Sequence, residues 1–386
     1  MSKPPVVSTR RVWRDVLRVL VPNRLAVFVG MWLTMVYMAP AAPAPGVTLG
    51  NRPNAANIII DGWFRWDVHW YWQIAKFGYT NRAQNGLQRD TAFFPAFPLL
   101  IRAFNLAIPD TYLAGMVATN LCLVLSAFLL YRLVEARHGR DAAKRAVLLL
   151  LVYPWSFIFS AMYTESLFLA SVLGAFYFGE RERWSLAGLC AAVTGATRVL
   201  GFSVVVGLLV LYLEKRRWSW RGIRPGVLGI GLSVLGPGLQ MLFLWKRFGD
   251  PFLFLHSQDV VGWSASSSVH HMTPVFWGFF NLTKLMSGAA PVSGFVHLLA
   301  LASGVLGCAT CMRRGHVAYG VWGLFYLVLS IHKWDGIGRF VVVIFPLYVA
   351  GALWVRRPEY VAALVAMGCL LMGILMLMFS HWHFVT

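Results

Sequence analysis

The stretch "FRWDVHWYWQIAKFGY", Phe64 to Tyr79, packs Trp, Tyr and Phe around one carboxylate, Asp67. In so apolar a setting a carboxylate either takes part in proton chemistry or caps the start of an aromatic helix. A capping box would want Glu or Gln at position 70, where Trp70 stands instead. Two residues on, His69 can hold Asp67 or an acceptor group, or bond a lipid headgroup. Glu165 follows Tyr163 at the start of an apolar run, and Arg198 interrupts another. Charges at membrane depth are costly and are generally paired or functional. Arg198 therefore needs a partner: Glu165, Asp67 or a lipid phosphate. Glu165 either rests on the positive end of a helix or orients Arg198 or an acceptor. Arg339, flanked by Gly336 and Gly338, can clamp the same phosphate or form a structural ion pair; Lys333 can contribute, or simply pair with Asp335. His256 and Gln258, with Trp263, stand in a long polar segment.

Elements that position these groups follow from composition. The 386 residues are 58% hydrophobic and 13% charged, against about a quarter charged in soluble domains. Such a chain must face lipid, and the class is an all-α multi-pass membrane protein. A net charge of +19 is compatible with nucleic acid, but the basic residues lie in short clusters between apolar runs, as membrane-flanking charges do, so no nucleic-acid partner is expected. Cys308 and Cys311 form a CxxC within Ala, Gly, Leu and Val, which reads as small core residues. His270 and His271 are adjacent and no D-x-D motif is present, so neither metal nor cofactor is expected.

Apolar runs at 24–40, 111–133, 146–160, 163–179, 185–197, 201–213, 226–245, 292–311, 317–331, 340–355 and 360–379 predict about eleven passes, several shorter than usual. The first reads as an uncleaved transmembrane helix behind a basic lead. Placing the N-terminus in the cytoplasm puts the basic clusters at 134–145, 180–184, 214–225, 312–316 and 356–359 inside. The first outer loop, 41–110, and the segment 246–291 then lie outside, with Asp67, His69, Glu165, Arg198, His256, Gln258, Lys333 and Arg339. Residues 1–386 read as a single integral membrane domain. Residues 66–77 look like an amphipathic helix lying at the outer interface, with Trp66, Trp70 and Ile74 on one stripe and His69, Gln73 and Lys76 on another. Residues 92–104, "AFFPAFPLLIRAF", suggest a second interfacial or re-entrant piece. No nucleotide-binding loop is present.

Several motifs together resemble the PIG-V mannosyltransferase family. "RWDVHWYWQIAKFGY" followed by "AFFPAFPLLIR", then "PWSFIFSAMYTESLFLA" (154–170), "GATRVLGF" (195–202), "GDPFLFLHSQ" (249–258) and "GRFVVVIFPLY" (338–348) are similar to its blocks in the same order. The chain departs from the pattern at Arg198-Val199-Leu200-Gly201, where the family has R-S-N-G, and at Phe340, where it has Tyr. The resemblance implies a GT-C fold with the active site on the extracytoplasmic face, in the plasma membrane of a bacterium or the ER of a eukaryote. It implies a polyprenyl-phosphate sugar donor such as dolichyl phosphate mannose, and a membrane-associated acceptor: a glycolipid, glycan or protein. It points to Asp67 as the base of an inverting transfer. His69, Glu165, Arg198, His256, Gln258, Lys333 and Arg339 are the candidate substrate-binding residues. A polyprenyl-lipid transporter or flippase, or a non-catalytic subunit of a transferase complex, are the competing expectations.

Overall fold

The computed structural model describes residues 8–38, 57–82, 88–222, 224–257, 292–331 and 336–382. Backbone groups in lipid must be satisfied within the chain, so long apolar runs fold as helices. The regular elements among the described residues are all helical. They are α1 (Thr9–Tyr37), α2 (Ile58–Asp61), α3 (Val68–Phe77), α4 (Ala96–Asn105), α5 (Thr111–Val152), α6 (Glu165–Glu180), α7 (Trp184–Gly195), α8 (Ser203–Lys215), α9 (Leu235–Phe248) and α10 (Leu253–His256). After the segment outside the described residues come α11 (Val292–Arg313), α12 (Val317–Ser330), α13 (Ile337–Val341), α14 (Phe345–Trp354) and α15 (Pro358–Ser380). Tighter 3₁₀ turns occupy Pro154–Ser160, Val199–Phe202 and Pro225–Val234.

About eleven passes were expected. Among the described residues five helical stretches are long and apolar enough to cross a membrane, or six if the pair Pro154–Ser160 and Glu165–Glu180, bent by 99°, is counted as one broken span. Three more apolar helices, α7, α12 and α14, are shorter. The basic loop expected at 134–145 is instead helical on both sides of a single break at Gly139 (φ 80°, ψ 176°). Charge clusters mark where a span ends but not whether the helix ends with it. Cys308 and Cys311 are buried free thiols in α11, as read from their neighbours, and Cys311 Sγ lies 3.3 Å from the Pro346 carbonyl.

The broken span needs polar groups to replace the missing helix bonds. Arg24 of α1, 6% exposed, supplies them. It donates to the carbonyls of Leu151 and Ser156 and to the hydroxyls of Ser156 and Ser160. Beyond this turn α6 runs from Glu165 to Glu180, a path of about 22 Å at helical rise. It therefore joins two separate charged clusters at opposite ends of one buried helix.

Helix α3 is more deeply packed than an interfacial helix requires. Val68, Trp70, Tyr71, Trp72, Ile74 and Ala75 are buried. Trp70 stacks on Phe93 (5.6 Å), and Tyr71 meets Phe93, Phe97 and Tyr163 edge-on. These rings pack against protein, because α4 folds back on them. Arg102 of α4 fastens the fold-back by donating to the Ala75 (2.7 Å) and Ile74 (3.2 Å) carbonyls at the end of α3.

Candidate active site

Asp67 stands at the N-cap position of α3, yet its side chain makes no capping bond. The carboxylate turns away from its own helix to Arg339, whose Nη1 donates to Oδ2 at 2.8 Å. Two features hold it there. Trp66, just before it, adopts a left-handed backbone (φ 53°), a conformation costing about 1 kcal/mol or more for such a residue. Arg65, fully buried, clamps the same turn. It donates to the carbonyls of Asp61 (2.6 Å), Phe64 (3.0 Å) and Ser380 (2.8 Å), and its guanidinium lies 4.7 Å from the Trp382 ring. The Tyr163 hydroxyl donates back to the Arg65 carbonyl at 3.1 Å. The end of α15 thus sets the direction of Asp67 from more than 300 residues away in sequence.

Arg339 lies on α13. Its neighbour Gly338 packs flat against the buried Trp155 ring, where any Cβ would collide. That close approach delivers Arg339 between two carboxylates: Asp67, and Glu165 at the start of α6, with Nε 2.8 Å from Glu165 Oε1. Arg198, at the corner after α7, donates from Nη2 to the same Glu165 oxygen (2.7 Å) and to the Thr164 hydroxyl. Gly201 closes this corner against the Thr194 carbonyl, leaving no room for a side chain. The amide of Ala96, in the proline-rich block, donates to the Ala196 carbonyl at 2.9 Å and docks α4 onto it.

The result is a chain of four charges: Asp67, Arg339, Glu165, Arg198. Exposure is least at Glu165 and rises to either side, with side chains 21%, 13%, 0% and 11% exposed in that order. Burial works against the charge on both arginines, but the carboxylates outweigh it: Glu165 and Asp67 hold Arg339 well above its ordinary pKa, and Glu165 raises Arg198. Aromatic faces complete the surround. Arg198 lies over Phe168 (5.0 Å) and Arg339 over Tyr163 (5.1 Å), and both flank Phe340 at 5.8 Å. Glu165 Oε2, Arg198 Nη1, Arg339 Nε and the Tyr326 hydroxyl are buried without a hydrogen-bond partner among the described residues. Spare buried donors and acceptors are expensive, and they mark capacity for a polar ligand.

Of the sequence-predicted residues, Asp67, Glu165, Arg198 and Arg339 come together. His69 sits among the rings of Phe64, Trp70 and Trp72. His256 faces solvent and pairs through Nδ1 with Asp250 at 2.7 Å; that contact lowers the Asp250 pKa. Gln258, Trp263, His270, His271, Lys333 and Asp335 lie outside the described residues. No group of three or more metal-ligating side chains forms among the described residues.

Sequence reasoning missed Arg65, Thr164, Tyr326 and Asp90. Arg65 carried a signal, a cation inside an aromatic run two residues before the acid. Tyr326, on α12, is fully buried and close enough to Arg198 for its charge to be felt. Asp90, also fully buried, accepts from the amides of Thr80 (2.6 Å) and Asn81 (3.0 Å) and from the Thr80 hydroxyl (2.9 Å). Beside it Thr91 and Ser257 share a 2.7 Å hydroxyl contact that ties α10 to the first loop. Nothing in the local sequence distinguishes Asp90 from a solvated turn residue.

No family model matches the chain, and no curated protein matches it by sequence. Its fold is similar to that of ArnT from Cupriavidus metallidurans. The structure of ArnT bound to undecaprenyl phosphate superposes with a TM-score of 0.57 at 16% identity, over 91% of this chain and 63% of that one. The apo state gives 0.54 at 13%, over 90% and 61%. This chain thus spans somewhat less than two thirds of the ArnT chain. A weaker likeness, TM-score 0.45 at 14% identity, reaches an oligosaccharyltransferase of Archaeoglobus fulgidus over 94% of this chain and 53% of that one. The chain therefore shares the fold of ArnT, within a polytopic helical membrane protein.

Proposed function

We propose that this protein is a lipid-linked sugar transferase. It moves a mannose or similar hexose from a polyprenyl-phosphate donor to a hydroxyl of a membrane-associated acceptor, with inversion. The observation that carries the reading is the junction of Asp67 with the Arg339–Glu165–Arg198 chain. One carboxylate at the accessible end of two buried guanidiniums is what this transfer requires. The ArnT structure, held in the same fold with undecaprenyl phosphate, supports a polyprenyl phosphate as the anionic ligand. The ordered motifs that resemble those of PIG-V favour mannose and an extracytoplasmic active site, and the apolar runs favour about eleven passes.

The chemistry uses few groups. A hydroxyl is a weak nucleophile, and a carboxylate within hydrogen-bond reach takes its proton as the new bond forms. The acceptor oxygen attacks the anomeric carbon, the bond to the phosphate oxygen breaks, and the electron pair leaves with the lipid phosphate. Arg198 and Arg339 stabilise the charge that grows there. His69, His256, Gln258 and Lys333 are assigned to the sugar and acceptor side. Nothing in this step calls for a metal.

The test is transfer by purified protein supplied with a polyprenyl-phosphate mannose and membrane extract, with products identified by mass spectrometry. Asp67→Asn is expected to fold and to lose transfer by a factor of about 10²–10⁴. Wild-type rates in that variant would sink the assignment of Asp67 as base. Lipid movement across vesicles without any sugar transfer would favour a transporter instead.

A further inference from the structure

The two arginines are not equivalent, and the difference bears on how the base is controlled. Arg198 has Nη2 committed to Thr164 and Glu165 and Nη1 unpartnered. It can accept an anion without giving anything up. Arg339 also has a nitrogen without a hydrogen bond, Nε, which lies 2.8 Å from Glu165 Oε1, but it differs in that its Nη1 holds Asp67 at 2.8 Å. A carboxylate oxygen that accepts from a guanidinium has one lone pair fewer for an incoming hydroxyl. As it stands, the base is restrained by the cation that the leaving phosphate would need.

We infer that Arg339 is an exchange partner: it holds Asp67 while no donor is bound and passes to the donor phosphate when one arrives, releasing Asp67 to act as base. This rests on the donor assigned above. Three features make the exchange feasible. The Glu165 side of Arg339 is fully buried and stays in place, so the guanidinium never loses both counter-charges. The Asp67 side is the more accessible, at 21% exposure, and is joined through one oxygen. Neither backbone has to move, since Arg65 clamps the Asp67 turn and Gly338 is seated on Trp155.

Charge is conserved through the cycle. Asp67, Glu165, Arg198 and Arg339 together are neutral. A phosphodiester donor brings one negative charge, which takes the place of Asp67 on Arg339. During transfer Asp67 gains the acceptor proton and becomes neutral, while the leaving phosphate becomes a monoester with one more negative charge beside both arginines. Asp67 then loses its proton to solvent and recovers Arg339 as the lipid phosphate departs. Release of the base only in the presence of donor also limits proton chemistry at an empty site.

The experiment measures binding of undecaprenyl phosphate to the full chain in lipid nanodiscs, for wild type, Asp67→Asn, Arg339→Gln and the double variant. Exchange predicts that Asp67→Asn binds about tenfold tighter than wild type, since one charge-assisted bond no longer competes. It also predicts that the gain disappears in the Arg339→Gln background. A gain that persists there would be the general effect of removing a negative charge, and would overturn the exchange, as would no gain at all. Should Arg339→Gln not fold, Arg339→Lys serves in its place: one ammonium cannot reproduce the two-sided contact, so the gain must shrink. Absence of binding to wild type would instead sink the donor assignment itself. Binding to wild type with no change in Asp67→Asn would leave that assignment standing and remove only the exchange.

Discussion

The two ends of α6 carry one glutamate each, and they are built differently. Glu180 is saturated: Arg137 bonds both its oxygens at 2.8 Å, Lys215 one at 2.7 Å, and the Tyr319 hydroxyl the other at 2.7 Å. Its cations are partly in solvent, Arg137 36% and Lys215 24% exposed. Glu165 is fully buried, uses one oxygen for two arginines, and leaves Oε2 unpartnered among the described residues. A network whose donors and acceptors balance ties helices together. One with spare buried capacity costs stability and is kept where a ligand can complete it. The sequence singles out Glu165 and leaves Glu180 in the charged cluster at 180–184, and the accounting of hydrogen bonds gives the physical difference between the structural cluster and the candidate site.

The largest expected effect that tests this contrast is on stability. Glu165→Gln leaves two buried guanidiniums without their shared counter-charge and should cost about 3–5 kcal/mol. Glu180→Gln, whose cations reach solvent, should cost about 1 kcal/mol. Melting of the two variants in the same detergent measures the gap, and equal losses would break the comparison.

Next comes Gly338→Ala. A methyl group there meets Trp155, and overpacking of this kind costs about 1–3 kcal/mol. Since Arg339 is displaced with it, transfer should fall by about 10²-fold. A variant with a lowered melting temperature but unchanged transfer would show that Arg339 is not at the reacting centre.

The saturated end should respond to pH. Arg137 Nη1 lies 3.2 Å from His316 Nδ1, and His316 Nε2 lies 2.7 Å from His138 Nε2. Arginine only donates, so Nδ1 accepts, and a neutral His316 donates from Nε2 to a neutral His138. Burial first, then Arg137 and His138, pushes the His316 pKa down to about 3. The unfolded chain takes up a proton below about pH 6.5 while the folded one does not. The stability from this histidine is therefore complete above that pH and is lost progressively as pH falls toward 3, by about 2 kcal/mol at pH 5. His316→Asn should flatten that dependence in melts between pH 7 and 5; an unchanged slope would place the sensitivity elsewhere.

The smallest effect is expected at Glu182, 47% exposed and paired with Arg216 at 2.8 Å. Glu182→Ala should change stability by less than about 0.5 kcal/mol. A larger loss would mean that even the exposed edge of this end is structural.

Much of the candidate site was legible before any fold was known. Asp67, Glu165, Arg198 and Arg339 stand out because charge in an apolar run is rare and needs a partner, and the structure makes them one another's partners. The boundaries of spans were less legible: Gly139 breaks α5 where a whole loop was expected, and α3 buries rings that composition alone would send to the headgroups. His69 and His256 were drawn from the same polar inventory; packing sets His69 among aromatic rings and pairs His256 with Asp250.

By itself, the sequence determined that this is a helical membrane protein, since so little charge cannot cover a chain of this length, and it determined which few charges must be accounted for. Tertiary structure alone decided the rest. Arg65 is a clamp because the end of α15 brings the Ser380 carbonyl to it. Asp67 is an ion-paired acid rather than a helix cap because Gly338 lets α13 approach closely enough to present Arg339. Such contacts join residues hundreds of positions apart, and local spacing carries no information about which of several possible partners the packing will deliver.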